Sequence, residues 1–434
     1  MQIRTDCRMI IGFDDTDSKT MGMCTTYLGA LMLEEIPLPP DEITPYLLRL
    51  NPNVRFKTRG NAAVSLKLAP REDYVDDLWK ICCELLEEFA VFDDENTNPG
   101  IVFLSEEEAA GMHRELERFS LRAVRDFITI DETKDFLKRH KIKHRGYKNG
   151  RGLIGALAAA GFALNGLSDW TYELVAYRKP ENWGRRRSLN EETVWAADRA
   201  SYPFTWDTVD HQNKKIVFSP HGPDPVLFGI RGSDQNRIMD AFRVIRSEPI
   251  DRYLIYTTNQ GTDMHITEAR INDAREGRSY KIRGRVTAPP RTIHGGHVIF
   301  TIEDGSGEVD CAAYEPTKNF REVVRRLAPG DTVTVYGALK NQTINLEKIQ
   351  IERLIPRRVL RNPLCGCGKR MKSVGKNQGY RCKRCGTRSD LPEIVEVDPG
   401  IRVGVYETPP VARRHLAKPL IRCNEGKVKT YPSR

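Results

Sequence analysis

Residues 9–27 read MIIGFDDTDSKTMGMCTTY, and the interpretation of this stretch decides the rest of the chain. Met9, Ile10 and Ile11 form an apolar run that predicts a buried strand. Gly12 and Phe13 lead into Asp14, Asp15, Thr16, Asp17 and Ser18. Three carboxylates crowded at a strand end repel one another, and a central strand cannot turn them all to solvent. A hard cation removes the conflict, and Mg²⁺ is commonly held by one or two carboxylates together with substrate phosphates. Gly22, Cys24, Thr25 and Thr26 then precede a helical pattern of Tyr27, Leu28, Leu31 and Met32. Small and hydroxyl-bearing residues therefore fall at a helix N-terminus, where free N–H groups favour phosphate. Strand, acidic turn and hydroxyl-rich helix start make a nucleotide-site layout, with Gly12 grouped in it. The competing interpretation is an Asx-rich turn followed by a Thr cap.

The chain has 434 residues, a length that favours about three domains or more. With 39 % hydrophobic residues, packed cores can form. No apolar run approaches the roughly 18 residues of a membrane helix, and the start has no signal-peptide pattern, so a cytoplasmic protein without membrane contact is expected. Of ten cysteines, four cluster at Cys365, Cys367, Cys382 and Cys385, which points to a metal site and reduced thiols rather than disulfides. The net charge of +9 is unevenly placed. Residues 361–434 hold 17 Lys and Arg against 6 Asp and Glu, a balance of +11, whereas the first 360 residues are at −2. This is the electrostatic footprint of a nucleic-acid contact.

Two basic, Gly-containing loops precede apolar elements. Lys57, Thr58, Arg59, Gly60 and Asn61 lead into an alternating strand, and Gly lets a backbone approach a phosphate closely. His144 to Gly152, with Arg145, Lys148 and Arg151, leads into a small-residue apolar helix over residues 153–164. The P-loop spacing is absent. The bland alternative for both loops is a charged surface turn. Residues 151–257 give helix, strand, strand, helix, strand, a ferredoxin-like order whose first strand would lie in the poorly patterned stretch before Gly150. The loops Thr205–Asp210 and Asn259–Asp263 are polar strand ends able to line a small-molecule pocket.

From Tyr280 the texture changes. Strands over residues 281–286, 297–303, 308–313, 331–338 and 343–351, with a short helical piece at 320–327 between the third and fourth, fit an OB-fold. Such barrels bind single strands or loops by stacking and backbone charge. The four clustered cysteines, C-x-C and C-x-x-C separated by 14 residues, fit a Cys₄ zinc ribbon with a short first knuckle. Residues 410–422, PVARRHLAKPLIR, form a basic segment suited to phosphate contact. The expected architecture is multidomain, α/β plus β: a kinase-like ATP-binding α/β domain (1–148), a ferredoxin-like domain (149–278), an OB-fold (279–355), and a zinc ribbon with a basic C-terminal segment (356–434).

Residues 11–27, 46–66 (YLLRLNPNVRFKTRGNAAVSL), 144–162 (HRGYKNGRGLIGALAAAGF), 205–210 (TWDTVD) and 362–373 (NPLCGCGKRMKS) together resemble the archaeal tRNA-isoleucine 2-agmatinylcytidine synthetases, or agmatidine synthetases. The resemblance extends to about Arg388. It implies ATP-dependent ligation of agmatine to carbon 2 of the anticodon wobble cytidine of tRNA-Ile (anticodon CAU). The cytidine oxygen is first phosphorylated, and the product reads the AUA codon. Thr25 matches the family's phospho-accepting threonine, and Asp14, Asp15 and Asp17 match its acidic turn. ATP, Mg²⁺ and Zn²⁺ are the implied cofactors. A guanidinium requires a planar carboxylate acceptor, so Asp207, Asp210 and Asp263 are the expected agmatine ligands. The loops of Lys57, Arg59, Gly60 and Asn61 and of Arg145, Lys148 and Arg151 are expected to hold ATP phosphates. The OB-fold and ribbon are expected to grip tRNA while the N-terminal half performs the chemistry. The alternatives are a non-enzymatic OB-fold and ribbon RNA-binding factor, or a small-molecule kinase with an RNA-binding appendage.

Overall fold

The computed structural model describes residues 8–58, 60–423, 426 and 428–434. Its first half is organised by strand β1 (Met9–Asp14), whose residues up to Phe13 are buried on both faces, as a central strand requires. Helix α1 (Thr25–Glu35), strands β2 (Thr44–Arg49) and β3 (Ala62–Leu68), helix α2 (Val75–Phe89) and strand β4 (Gly100–Ser105) follow. Helices α3 (His113–Arg125) and α4 (Ile130–Arg139) and the edge strand β5 (Lys143–Gly146) complete this part. Helix α2 buries Leu78, Cys82 and Leu86, spaced four apart on one face.

Helix α5 (Gly152–Asn165) is apolar on every side and is buried on nearly every side. It packs across β1, β3 and β4. Its small residues make this possible: a Cβ on Gly12 would lie 2.0 Å from the Ala156 carbonyl oxygen, and one on Gly155 would lie 1.9 Å from Asp14 Oδ2. The expected ferredoxin-like order is corrected here. Its first helix covers the N-terminal half of the sheet, and the stretch before Gly150 is the outer strand at that end, not a neighbour of the ferredoxin-like strands.

The second unit is built on β6 (Thr171–Arg178), helix α6 (Glu191–Ser201), the two-residue β7 (Thr205–Trp206), β8 (Val226–Gly232), helix α7 (Gln235–Val244) and β9 (Ile250–Thr258). Helices α6 and α7 pack together. The two halves share one nine-stranded sheet in the order β5–β4–β1–β3–β2–β9–β6–β8–β7. The seam is a parallel pairing of β2 with β9, Tyr46 opposite Thr257 and Leu47 opposite Thr258.

The barrel uses β10 (Ser279–Val286), β11 (Val298–Glu303), β12 (Glu308–Ala313), helix α8 (Asn319–Arg325), β13 (Thr332–Lys340) and β14 (Thr343–Arg353). It closes in the order β10–β11–β12–β14–β13–β10, with α8 between the third and fourth strands, as the OB-fold pattern predicts. The ribbon is then carried on a two-stranded stem, β15 (Arg357–Arg361) against β16 (Glu393–Val397). The chain afterwards returns: β17 (Gly404–Glu407) adds to β14 of the barrel, and the described residues from Thr408 to Arg434 run back over the ferredoxin-like unit as a strap. No helix among the described residues is long and apolar enough to cross a membrane.

Candidate active site at the seam of the two halves

A cavity of about 670 Å³ opens where the kinase-like and ferredoxin-like parts meet, and the strap forms part of its wall. The acidic turn enters it from the C-terminal end of β1: Asp14, Asp15 and Asp17 all line the cavity, together with Thr25 at the start of α1. Burial pushes the Asp14 carboxyl well above its ordinary range, and the Asp15 charge beside it acts the same way. Burial raises Asp15 to about 6 against the opposing pull of Arg151, whose guanidinium lies 2.8 Å away. Thr58 donates to Asp17 at 2.6 Å, and Thr16 donates to the Thr25 hydroxyl at 3.1 Å. The N-terminus of α5 arrives at the same place, since a Cβ on Gly152 would lie 2.6 Å from the Asp14 carbonyl oxygen. Acidic groups, a hydroxyl and two helix N-termini therefore converge on one corner, a layout suited to a phosphate chain and its cation.

The opposite wall is organised around Glu173 on β6. Arg49 on β2 meets it at 3.2 Å and Arg231 on β8 at 3.2 Å, and Gln260 donates to the same carboxylate. Burial opposes the charge on Glu173, but Arg49 and Arg231 outweigh it and keep the carboxyl below its usual range. Asp224 and the apolar Val217, Phe218 and Val226 extend this wall.

Outside the cavity wall, the four ribbon thiols form one cluster in which all four sulfurs lie within 4.8 Å of one another. Zn–S bonds of about 2.3 Å in a tetrahedron put sulfurs about 3.8 Å apart, so the set fits Zn²⁺ despite the short first knuckle.

Models of the TiaS family match in chain order: the TiaS TCKD domain over residues 10–149, the TiaS FLD domain over 150–265 and the TiaS C-terminal zinc ribbon domain over 362–401. An OB-fold nucleic acid binding domain matches residues 271–352. The tRNA-isoleucine 2-agmatinylcytidine synthetase TiaS of Methanosarcina mazei is 49 % identical over 98 % of this chain and 100 % of its own. That of Archaeoglobus fulgidus is 47 % identical over 97 % and 99 %. The chain belongs to the TiaS family. Among solved structures, a complex of TiaS with its isoleucine tRNA and ATP superposes with a TM-score of 0.88 at 45 % identity, covering 99 % of this chain and 100 % of that one. A complex of TiaS with the same tRNA, AMPCPP and agmatine gives 0.85 at 42 % identity, with the same coverage.

Several expected TiaS site residues sit elsewhere than their motifs implied. Gly12 is a packing glycine under α5 and does not line the cavity. Arg145 pairs with Glu87 and stands over the Trp79 ring, and Lys148 donates to the Asp94 carbonyl, so of the second basic loop Arg151 alone reaches the cavity. Lys57, Gly60 and Asn61 do line it, whereas Arg59 lies outside the described residues. Asp210 is fully buried and accepts from Asn213 and from the Val411 amide. Asp263 is held by Lys348 and by the Lys418 amide at 2.7 Å. Both are structural carboxylates. Asp207 alone of the three faces the cavity, in an ion pair with Arg413 of the strap.

The strap also corrects the view of residues 410–422 as a basic segment suited to phosphate contact. Arg413 meets Asp207 and Glu407, Lys418 and Arg422 both meet Asp169, and Arg434 meets Asp198. Arg413 and His415 are part of the cavity wall. Sequence reasoning missed Arg49, Glu173, Arg231 and His415. A signal existed for two of them: Arg49 lies within YLLRL and Glu173 within YELVAY, each a lone charge in an apolar strand, and such a charge must be paired when buried.

Proposed function

We infer that this chain ligates agmatine to carbon 2 of the wobble cytidine of tRNA-Ile (anticodon CAU) in an ATP-dependent reaction that passes through a phosphorylated cytidine. The observation that carries the reading is the convergence of the acidic turn, Thr25 and the α5 N-terminus on one corner of a cavity whose far wall belongs to the ferredoxin-like unit. The reaction needs three substrates in one place, and a cavity at the seam between the two halves of the shared sheet supplies two separate walls. The working division into units 1–148, 149–278, 279–355 and 356–434 is kept, with the strap added to the active site.

Asp14, Asp15 and Asp17 would hold Mg²⁺, which neutralises charge on the phosphates of ATP. Burial without a cation drives Asp14 and Asp15 toward the protonated form, and this is the strain that a bound cation would relieve. Arg151, Lys57, Gly60 and Asn61 would face the nucleotide. Thr25 presents its hydroxyl to the same corner and is the proposed phospho-acceptor. The four-carbon chain of agmatine fits the apolar strip of Val217, Phe218 and Val226, with Asp207 and Asp224 as carboxylates on that wall for its guanidinium.

The test is direct. Purified protein with a transcript of this tRNA, ATP and labelled agmatine should transfer label to the tRNA only when all three are present. Asp14→Asn and Asp17→Asn should each remove most turnover at unchanged tRNA affinity, and full activity in both would refute the assignment of the turn. Label transfer without ATP would refute the reading as a whole.

A further inference from the structure

Among the described residues His415 is the one imidazole on the cavity wall. Its carbonyl accepts from the Gly261 amide at 2.8 Å, which fixes this part of the strap to the ferredoxin-like unit. Ring Nδ1 lies 2.7 Å from Arg231 Nη2 and 3.0 Å from Gln260 Oε1. A guanidinium can only donate, so its charge-assisted contact makes Nδ1 accept, and the Gln260 oxygen, itself an acceptor, is a neighbour of the ring and not its hydrogen-bond partner. Nδ1 is therefore the acceptor, and the ring proton sits on Nε2. Burial keeps the imidazole pKa well down, and Arg231 and Arg49 push in the same direction, so the ring is neutral. Nε2 has no hydrogen-bond partner among the described residues, nor is it one of the sealed polar atoms of the interior. The residue lines the cavity, and the Arg231–Glu173 pair holds the ring from its Nδ1 side.

We propose that His415 is a further catalytic residue, whose Nε2–H donates to the oxygen that departs from carbon 2 of the cytidine as phosphate. The proposal rests on the ligation reading above. In the displacement, the agmatine nitrogen bonds to C2 and the C2–O bond breaks. The electron pair of that bond leaves with the phosphate, and one amine proton passes to water. Negative charge grows on the departing oxygen, and a fixed donor aimed at it stabilises the transition state more than the ground state. A strap residue then takes part in chemistry that the N-terminal half was expected to perform alone.

The experiment compares full-length wild type, His415→Ala, His415→Asn and His415→Gln with the isoleucine tRNA, ATP and agmatine, resolving the nucleosides of quenched reactions by mass. Wild type that forms no 2-agmatinylcytidine fails the ligation reading and leaves this comparison without a baseline reaction. In a working enzyme, His415→Ala should lower kcat by roughly 10²–10³-fold, the usual cost of one such donor. KM for each substrate should stay within about threefold, as for an interaction made only in the transition state. Phosphocytidine should accumulate, because its formation continues while its displacement stalls. Asn, which can reach the Nδ1 position but not that of Nε2, should behave like Ala. Gln, whose amide N–H reaches the Nε2 position, should recover to within about tenfold of wild type. If Ala does not fold, the Asn–Gln contrast decides. An unchanged kcat, a slowed reaction without phosphocytidine, a change confined to KM, or Asn equal to Gln would each overturn the proposal.

Discussion

The C-terminal sixth contains two regions of similar composition and opposite use. The ribbon exposes Lys369, Lys372, Lys376, Arg381, Lys383 and Arg388, and among the described residues no carboxylate pairs with any of these six. Its core is little more than Cys365, Met371 and Cys382. The strap, from Thr408 onward, places Arg413, Lys418, Arg422 and Arg434 against acidic partners of the ferredoxin-like unit and the barrel edge. The Arg413 side chain is 3 % exposed, between Asp207 at 6 % and Glu407 at 1 %. Net charge therefore counts cations without saying which remain available. The ribbon keeps its cations in water, where they can neutralise phosphates, while the strap uses its own to neutralise buried carboxylates.

This contrast breaks first at Arg413. Arg413→Ala removes the cation shared by two buried carboxylates and leaves Asp207 only Arg231 at 3.7 Å, and removing one partner of a buried pair costs about 3–5 kcal/mol. Chemical denaturation should show that loss together with loss of ligation, and a change under about 0.5 kcal/mol would mean the strap is a surface feature after all.

Zinc removal should act on the other region. Metal analysis should find about one Zn²⁺ per chain, the content of one Cys₄ site. A chelator should unfold the ribbon and weaken tRNA binding while the main thermal transition stays in place, because the ribbon core is separate from the larger ones. If the whole chain melts on chelation, ribbon and strap form one cooperative unit.

The strap and barrel also meet at Glu347, buried beside His265 and 3.6 Å from Arg414. Burial opposes its charge, but His265 and Arg414 prevail and hold its carboxyl down at about 2. A depressed folded-state value means that the unfolded chain takes up the proton first. The stabilisation is therefore complete above the ordinary glutamate range near 4.5 and is lost as pH falls from there toward 2. In acid melts, Glu347→Gln should decline less steeply than wild type over that window, and parallel curves would show the pair to be uncoupled from folding.

The smallest effect on stability is expected in the ribbon. Lys372→Ala, Lys376→Ala and Lys383→Ala combined should shift stability by less than about 1 kcal/mol, as exposed substitutions do. Together they should flatten the salt dependence of tRNA binding by roughly two counterions. An unchanged salt slope would move the RNA contact away from these lysines.

Much of this protein was decided locally. The acidic turn, the Thr25 helix start, the barrel strands and the cysteine pairs are each specified by residues near one another in sequence, through alternation, turn chemistry and ligand spacing. The three-dimensional packing decided the rest. Helix α5 and strand β5 read as pieces of a ferredoxin-like unit, yet the helix packs on β1 because its glycines and alanines admit a neighbouring backbone that larger side chains would exclude. The second basic loop contributes only Arg151, because Arg145 and Lys148 are taken up by Glu87 and the Asp94 carbonyl. Asp210 and Asp263 were indistinguishable from ligand carboxylates in sequence, and what settles their role is the strap laid over them from about 150–200 residues away. His415 had no signature at all, since its protonation state comes from burial and from Arg231 on another element. A motif records which groups a segment carries. Whether a charge is offered to a ligand or consumed by a neighbour depends on which distant segment reaches it, because burial makes an unpaired charge too costly to leave alone.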